Sequence, residues 1–107
     1  MPPKPKITKQ QILEKALAIV REKGLAALTA KALAETLGCS TQPVFWHYDS
    51  MEAVRADVFS EALKVFGKAL RRESDCGSRY MALGLNYIRF ASEERELFRM
   101  LLMSDAG

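Results

Sequence analysis

The sequence predicts an all-α chain: a three-helix bundle with a helix-turn-helix, followed by a long connecting helix and two further helices. Apolar residues recur three and four apart in Ile12–Val20, Val54–Leu70 and Tyr80–Ala91, which is the period of a helix with one buried face. Helix-capping residues precede several of these runs, and Gly24 and Gly38 stand where the first two helices should stop. No stretch alternates as a strand would, and no repeat is present.

The first six residues hold three prolines and two lysines and are expected to be a disordered basic arm. Thr8 followed by Gln11 forms a capping box, with Ile7 stapled onto Ile12. The first helix then runs to about Lys23. Thr29 caps a second helix with Leu33 and Leu37 on one face, and Gly38 ends it in a left-handed turn. Ser40 is expected to cap the third helix, which runs to His47 or Tyr48. Leu28 with Leu33, and Cys39 with Val44, repeat the staple. Two helices joined this closely cross steeply, so that the second can enter the major groove of DNA. Asp49 or Ser50 caps a long fourth helix reaching Arg71–Glu73. A fifth carries Tyr80, Leu83, Tyr87, Phe90 and Ala91, and a short sixth is expected to follow Ser92. The resulting division is an arm over 1–6, a helix-turn-helix domain over 7–53 and a partial helical regulatory or dimerisation domain over 54–107.

Charge is unevenly distributed. Residues 1–48 carry seven Lys/Arg against three acids, a net of +4, while residues 49–107 carry nine against ten, a net of −1. The basic excess lies on the half with the helix-turn-helix, as binding to phosphates requires. With 107 residues the chain holds one compact domain, or one and part of another. No apolar run reaches the roughly 20 residues that span a bilayer, and no secretory signal is present, so the expected compartment is the cytoplasm. Cys39 reads as a small core residue and Cys76 as a loop thiol. One His and two distant Cys cannot close a zinc shell, and no cofactor motif occurs. Nothing supplies a nucleophile with a base, paired carboxylates or a phosphate loop, which sets an enzyme aside.

The pattern T-x-K-x-L-A-x-x-L-G-C-S-T-Q-P-V-F-W-H-Y, between a first helix and an immediate long fourth one, resembles the TetR family of transcriptional regulators over Ile7 to Val58. The run from Tyr87 to Asp105, YIRFASEERELFRMLLMSD, is similar to the opening of the regulatory domain in one branch of that family. The resemblance implies a homodimer that represses from a palindromic operator on double-stranded DNA and releases it when a small hydrophobic effector binds. It also implies that Ser40, Thr41, Gln42, Pro43, Phe45, Trp46 and His47 lie on or open the recognition helix, and that Thr29 and Lys31 meet the phosphate backbone. The side-chain chemistry agrees: Thr41 and Gln42 can reach base edges, Lys31 suits phosphate, and Pro43 and Phe45 offer apolar contact to a thymine methyl. Phe45 is expected toward DNA and Trp46 as a packing or edge residue. His47 reads as a packing or phosphate-contact residue, and Tyr48 either bonds phosphate or buttresses the fourth helix.

Two residues depart from the family pattern: Phe45 stands where a tyrosine is common and Met51 where a lysine is common, which weakens two backbone contacts. The chain is also short for the family, so a truncated regulatory domain is expected. Phe66, Tyr80, Met81, Tyr87, Phe90, Phe98, Met100 and Met103 either line an effector pocket or fill interhelical core. The competing function is a small helical interaction module that pairs with other regulators without repressing by itself.

Overall fold

The computed structural model describes residues 7–72 and 78–103, and every regular element among them is helical. In order these are α1 (Lys9–Lys23), a 3₁₀ turn (Leu25–Ala27), α2 (Ala30–Leu37), α3 (Gln42–His47), α4 (Met51–Leu70), α5 (Arg79–Glu93) and α6 (Arg95–Met103). The expectations for the basic arm and for Cys76 lie outside the described residues.

Local chemistry sets most of the boundaries. At α1 the capping box closes reciprocally, the Gln11 N–H donating to Thr8 Oγ1 at 3.1 Å and the Thr8 N–H to Gln11 Oε1 at 2.9 Å. Gly24 ends the helix at φ 94°, a conformation that L side chains rarely adopt. A Cβ there would also stand 2.7 Å from Glu96 Oε2, the movable end of a side chain, so it is the backbone conformation that calls for glycine. Ser50 caps α4 by accepting the Ala53 N–H. That helix stops at Leu70, just short of the expected Arg71–Glu73. Its end is held from another helix: Asn86 of α5, fully buried, donates from Nδ2 to the carbonyls of Leu70 and Arg72 at 3.1 and 2.7 Å.

The break between α5 and α6 falls at Glu94, two residues beyond the expected Ser92. Ser92 donates its hydroxyl back to the Arg89 carbonyl, so it is satisfied inside α5 and does not cap a new helix. Glu94 instead accepts from Arg21 of α1, with both carboxylate oxygens within 3.2 Å of Nε. This contact holds the α5–α6 corner against the end of α1, and the carboxylate pushes the Arg21 pKa up.

One apolar cluster joins Ile12, Leu13, Ala16, Ile19 and Val20 of α1 with Leu28, with Leu33 of α2, Val44 of α3, Val54, Val58 and Ala62 of α4, Phe90 of α5, and Leu97 and Met100 of α6. Residues from both parts of the chain therefore share a core. Leu28 and Leu33 are both fully buried, as the staple flanking Thr29 requires.

Candidate nucleic-acid interface

The interface is built on α2 and α3. Thr29 caps α2 by accepting the Ala32 N–H at 3.1 Å, and Leu33 and Ala34 bury one face of the helix. Lys31 is left exposed. Gly38 adopts the left-handed conformation at φ 72° and ψ 34°. The N–H of Gly38 donates to Glu35 and that of Cys39 to Ala34, a Schellman-type ending that turns the chain sharply. Cys39 is a half-buried free thiol.

Ser40 is not the cap of α3. The helix begins at Gln42, Thr41 takes the cap position in a helical conformation, and no side chain caps it. Pro43 at the second helical position makes this start tolerable, since its missing N–H would have no intrahelical acceptor there. Ser40 and Thr41 are both exposed, and the Thr41 hydroxyl is not spent on closing the helix.

A six-residue helix has one narrow inner face, and here Pro43 and Val44 occupy it. Pro43 is thus set apart by its burial from the exposed residues of the helix. At 100° per residue, Gln42, Phe45 and Trp46 then share the outer face. Phe45 is 44% exposed and Trp46 72%. Trp46 is therefore not a packing residue: it projects further into solvent than Phe45.

His47 and Tyr48 turn back toward the protein. His47 Nε2 lies 2.8 Å from the Ile7 carbonyl oxygen. A carbonyl can only accept, so Nε2 carries the proton and donates, fastening the end of α3 to the start of α1. Tyr48 is only 5% exposed, and its hydroxyl donates to Asp57 Oδ2 at 2.7 Å. Its role is the buttress of α4 and not a phosphate contact, because the phenol already bonds a protein carboxylate. Burial pushes the Tyr48 pKa well up, and the hydrogen bond to Asp57 adds to this. A folded pKa above the unfolded value of about 10 gives stability that is complete below that pH and is lost as pH rises through the folded value. Tyr48→Phe is expected to cost about 1–3 kcal/mol near neutral pH and to flatten the alkaline fall in stability, both measurable by urea unfolding across pH.

Asp57 and Lys9, whose ammonium lies 4.9 Å from the centre of the Tyr48 ring, were not among the residues singled out from sequence, and Ile7 was read only as the staple onto Ile12. No short-range spacing signals these contacts, because each reaches the end of α3 or Tyr48 just beyond it through tertiary packing.

The profile of the family described as "Bacterial regulatory proteins, tetR family" matches residues 12–58, which run from α1 through the first turns of α4. The chain carries the N-terminal DNA-binding domain of the TetR family. No curated protein matches the chain. The match covers the helices that place the outer face of α3.

The residues expected to line an effector pocket divide. Phe66, Tyr87, Phe90 and Phe98 form a ring cluster, with centroids 4.8 Å apart for Phe66–Phe90, 5.6 Å for Tyr87–Phe98 and 6.0 Å for Phe66–Tyr87. Met100 is buried beside them in the shared core. Tyr80 stands apart at 87% exposure and lines no pocket with these rings, since the first turn of α5 projects it into solvent. Met81 is exposed too, and the Met103 side chain lies outside the described residues. An open groove on α4 bordered by Ser60, Leu63, Lys64, Gly67, Lys68 and Arg71 involves none of these residues. Among the described residues no three His, Cys, Asp or Glu side chains gather as a metal site, and no helix is long and apolar enough to cross a membrane.

Proposed function

We infer that this chain is a sequence-specific repressor that binds a palindromic operator as a dimer in the cytoplasm and responds to a small hydrophobic effector. The observation that supports this best is the outer face of α3, where Gln42, Phe45 and Trp46 are exposed together while Pro43 and Val44 anchor the helix from beneath. In this reading Thr41 and Gln42 read base edges, Phe45 and Trp46 make apolar contacts, and Ser40, Thr29 and Lys31 meet the backbone. His47 sets the angle of the helix through Ile7. The Phe66, Tyr87, Phe90 and Phe98 rings are the candidate wall of the effector site.

Lys31→Ala is the discriminating variant. It is expected to weaken binding to all duplexes alike and to reduce the slope of log affinity against log salt by about one unit per bound chain, as read by fluorescence anisotropy on selected and random duplexes. A change in the preferred sequence would overturn the backbone assignment.

A second reading is favoured by α5, where Met81, Leu85 and Ile88 are exposed on the side away from Asn86 and Phe90. Helices apolar on two sides are ordinarily buried on both. That surface suits pairing with another regulator, in which case the chain would form mixed dimers with little DNA affinity of its own. Sedimentation of the purified chain with random duplexes separates the two: two chains per duplex support the repressor, and a lone chain without bound DNA supports the module.

A further inference from the structure

We propose that Lys9, in the first turn of α1, is a DNA-backbone contact flanking the C-terminal end of the recognition helix. This rests on the DNA-binding reading of α3.

The chemistry around that end of α3 leaves a gap that Lys9 fills. The segment leading into α4 reads Asp49, Ser50, Met51, Glu52, with two carboxylates that repel phosphate and no cation. His47, the one basic side chain in the last turn of α3, spends Nε2 on the Ile7 carbonyl. The Tyr48 hydroxyl is spent on Asp57. Lys9 is brought to the same place from a distant part of the sequence, its ammonium 4.9 Å from the Tyr48 ring centre and its side chain exposed. The ring attracts the cation without accepting a conventional hydrogen bond, so the three N–H donors remain available for phosphate oxygens. The same contact restrains a side chain that would otherwise lose much rotamer freedom on binding.

Helix stability does not explain the lysine. Lys9 is the first residue of α1, whose first turn holds no acid, and a cation there opposes the helix dipole. The backbone N–H groups of Thr8 and Gln11 are already taken by the capping box. With Lys31 on α2, the outer face of α3 then has one cation from each of the two preceding helices.

The test is the salt dependence of binding to random-sequence duplexes for Lys9→Met, which keeps the stem and loses the charge, beside Lys9→Arg and Lys68→Met. Lys68 lies about 25 Å along α4 from Met51 at 1.5 Å per residue. Lys9→Met is expected to lower the slope by about one unit per bound chain and the affinity about fivefold near physiological salt, with the thermal midpoint little changed. Lys9→Arg should keep the slope, and so should Lys68→Met. An unchanged slope in Lys9→Met, or an equal drop in Lys68→Met, overturns the proposal while leaving the DNA-binding reading intact. Absence of wild-type binding to any duplex overturns both.

Discussion

Leu97→Ala is expected to lower the free energy of unfolding by about 2–5 kcal/mol, the range for emptying a well-packed leucine site, and to loosen the DNA-binding helices together with α6. Leu97 is fully buried in the same cluster as Ile12, Val20 and Leu33, although it is far from them in sequence. The Arg21–Glu94 contact and the close fit of Glu96 over Gly24 press the start of α6 onto the end of α1. A cavity at Leu97 therefore removes packing from α1, and α1 is one wall of the helix-turn-helix. Amide hydrogen exchange should show faster exchange in α1 and α2 as well as in α6, alongside a lower midpoint in urea. Protection of α1 and α2 left at wild-type levels would mean that α6 is a separate unit resting on the bundle.

Gln42→Arg is expected to change which base is preferred at one position of each half-site, from adenine to guanine. Gln42 opens α3 on its exposed face. A glutamine amide pairs with N6 and N7 of adenine, whereas a guanidinium pairs with O6 and N7 of guanine, and each match is worth about 1–3 kcal/mol of discrimination. Preference at that position should move by about five-fold to more than a hundred-fold, with flanking positions unaltered. Selection of random duplexes by the variant and the wild type measures this directly. The same preference in both would remove Gln42 from the base-reading set.

Much of the fold was legible because it is specified locally. Thr8 with Gln11, Thr29 and Gly38 act within a few residues of one another, so their sequence spacing is sufficient to place α1, α2 and the turn. Val44 was legible as an inward residue on the same ground. The start of α3 was not, since Ser40 is a good cap by type but Pro43 fits the helix that opens at Gln42. The orientation of Trp46 depended on that start and on how few inward positions a six-residue helix has. Tyr48 was open between two roles until its partner was known, and that partner, Asp57, lies across a change of helix. The α5–α6 boundary was displaced because Ser92 bonds backward within α5 while Arg21, far away in sequence, holds Glu94. Asn86 carried no signal at all: an asparagine in a helix gives no hint that it closes the end of the preceding one.

These misses share a cause. Capping and period are short-range, whereas Tyr48–Asp57, His47–Ile7, Lys9–Tyr48 and Asn86–Leu70 bring together side chains and backbone groups from separate elements. The first three of these contacts hold the end of α3 and the residue that follows it, so the family of the domain was readable before the roles of its individual residues.

The central claim is that the exposed face of α3 reads a two-fold symmetric DNA site. The most direct test is to select duplexes from sheared genomic DNA with the purified chain at near-physiological salt and to sequence what is retained. The account predicts an enriched inverted repeat with half-sites about one helical turn apart or a multiple of it. Bulk, salt-sensitive retention with no enriched sequence would contradict it.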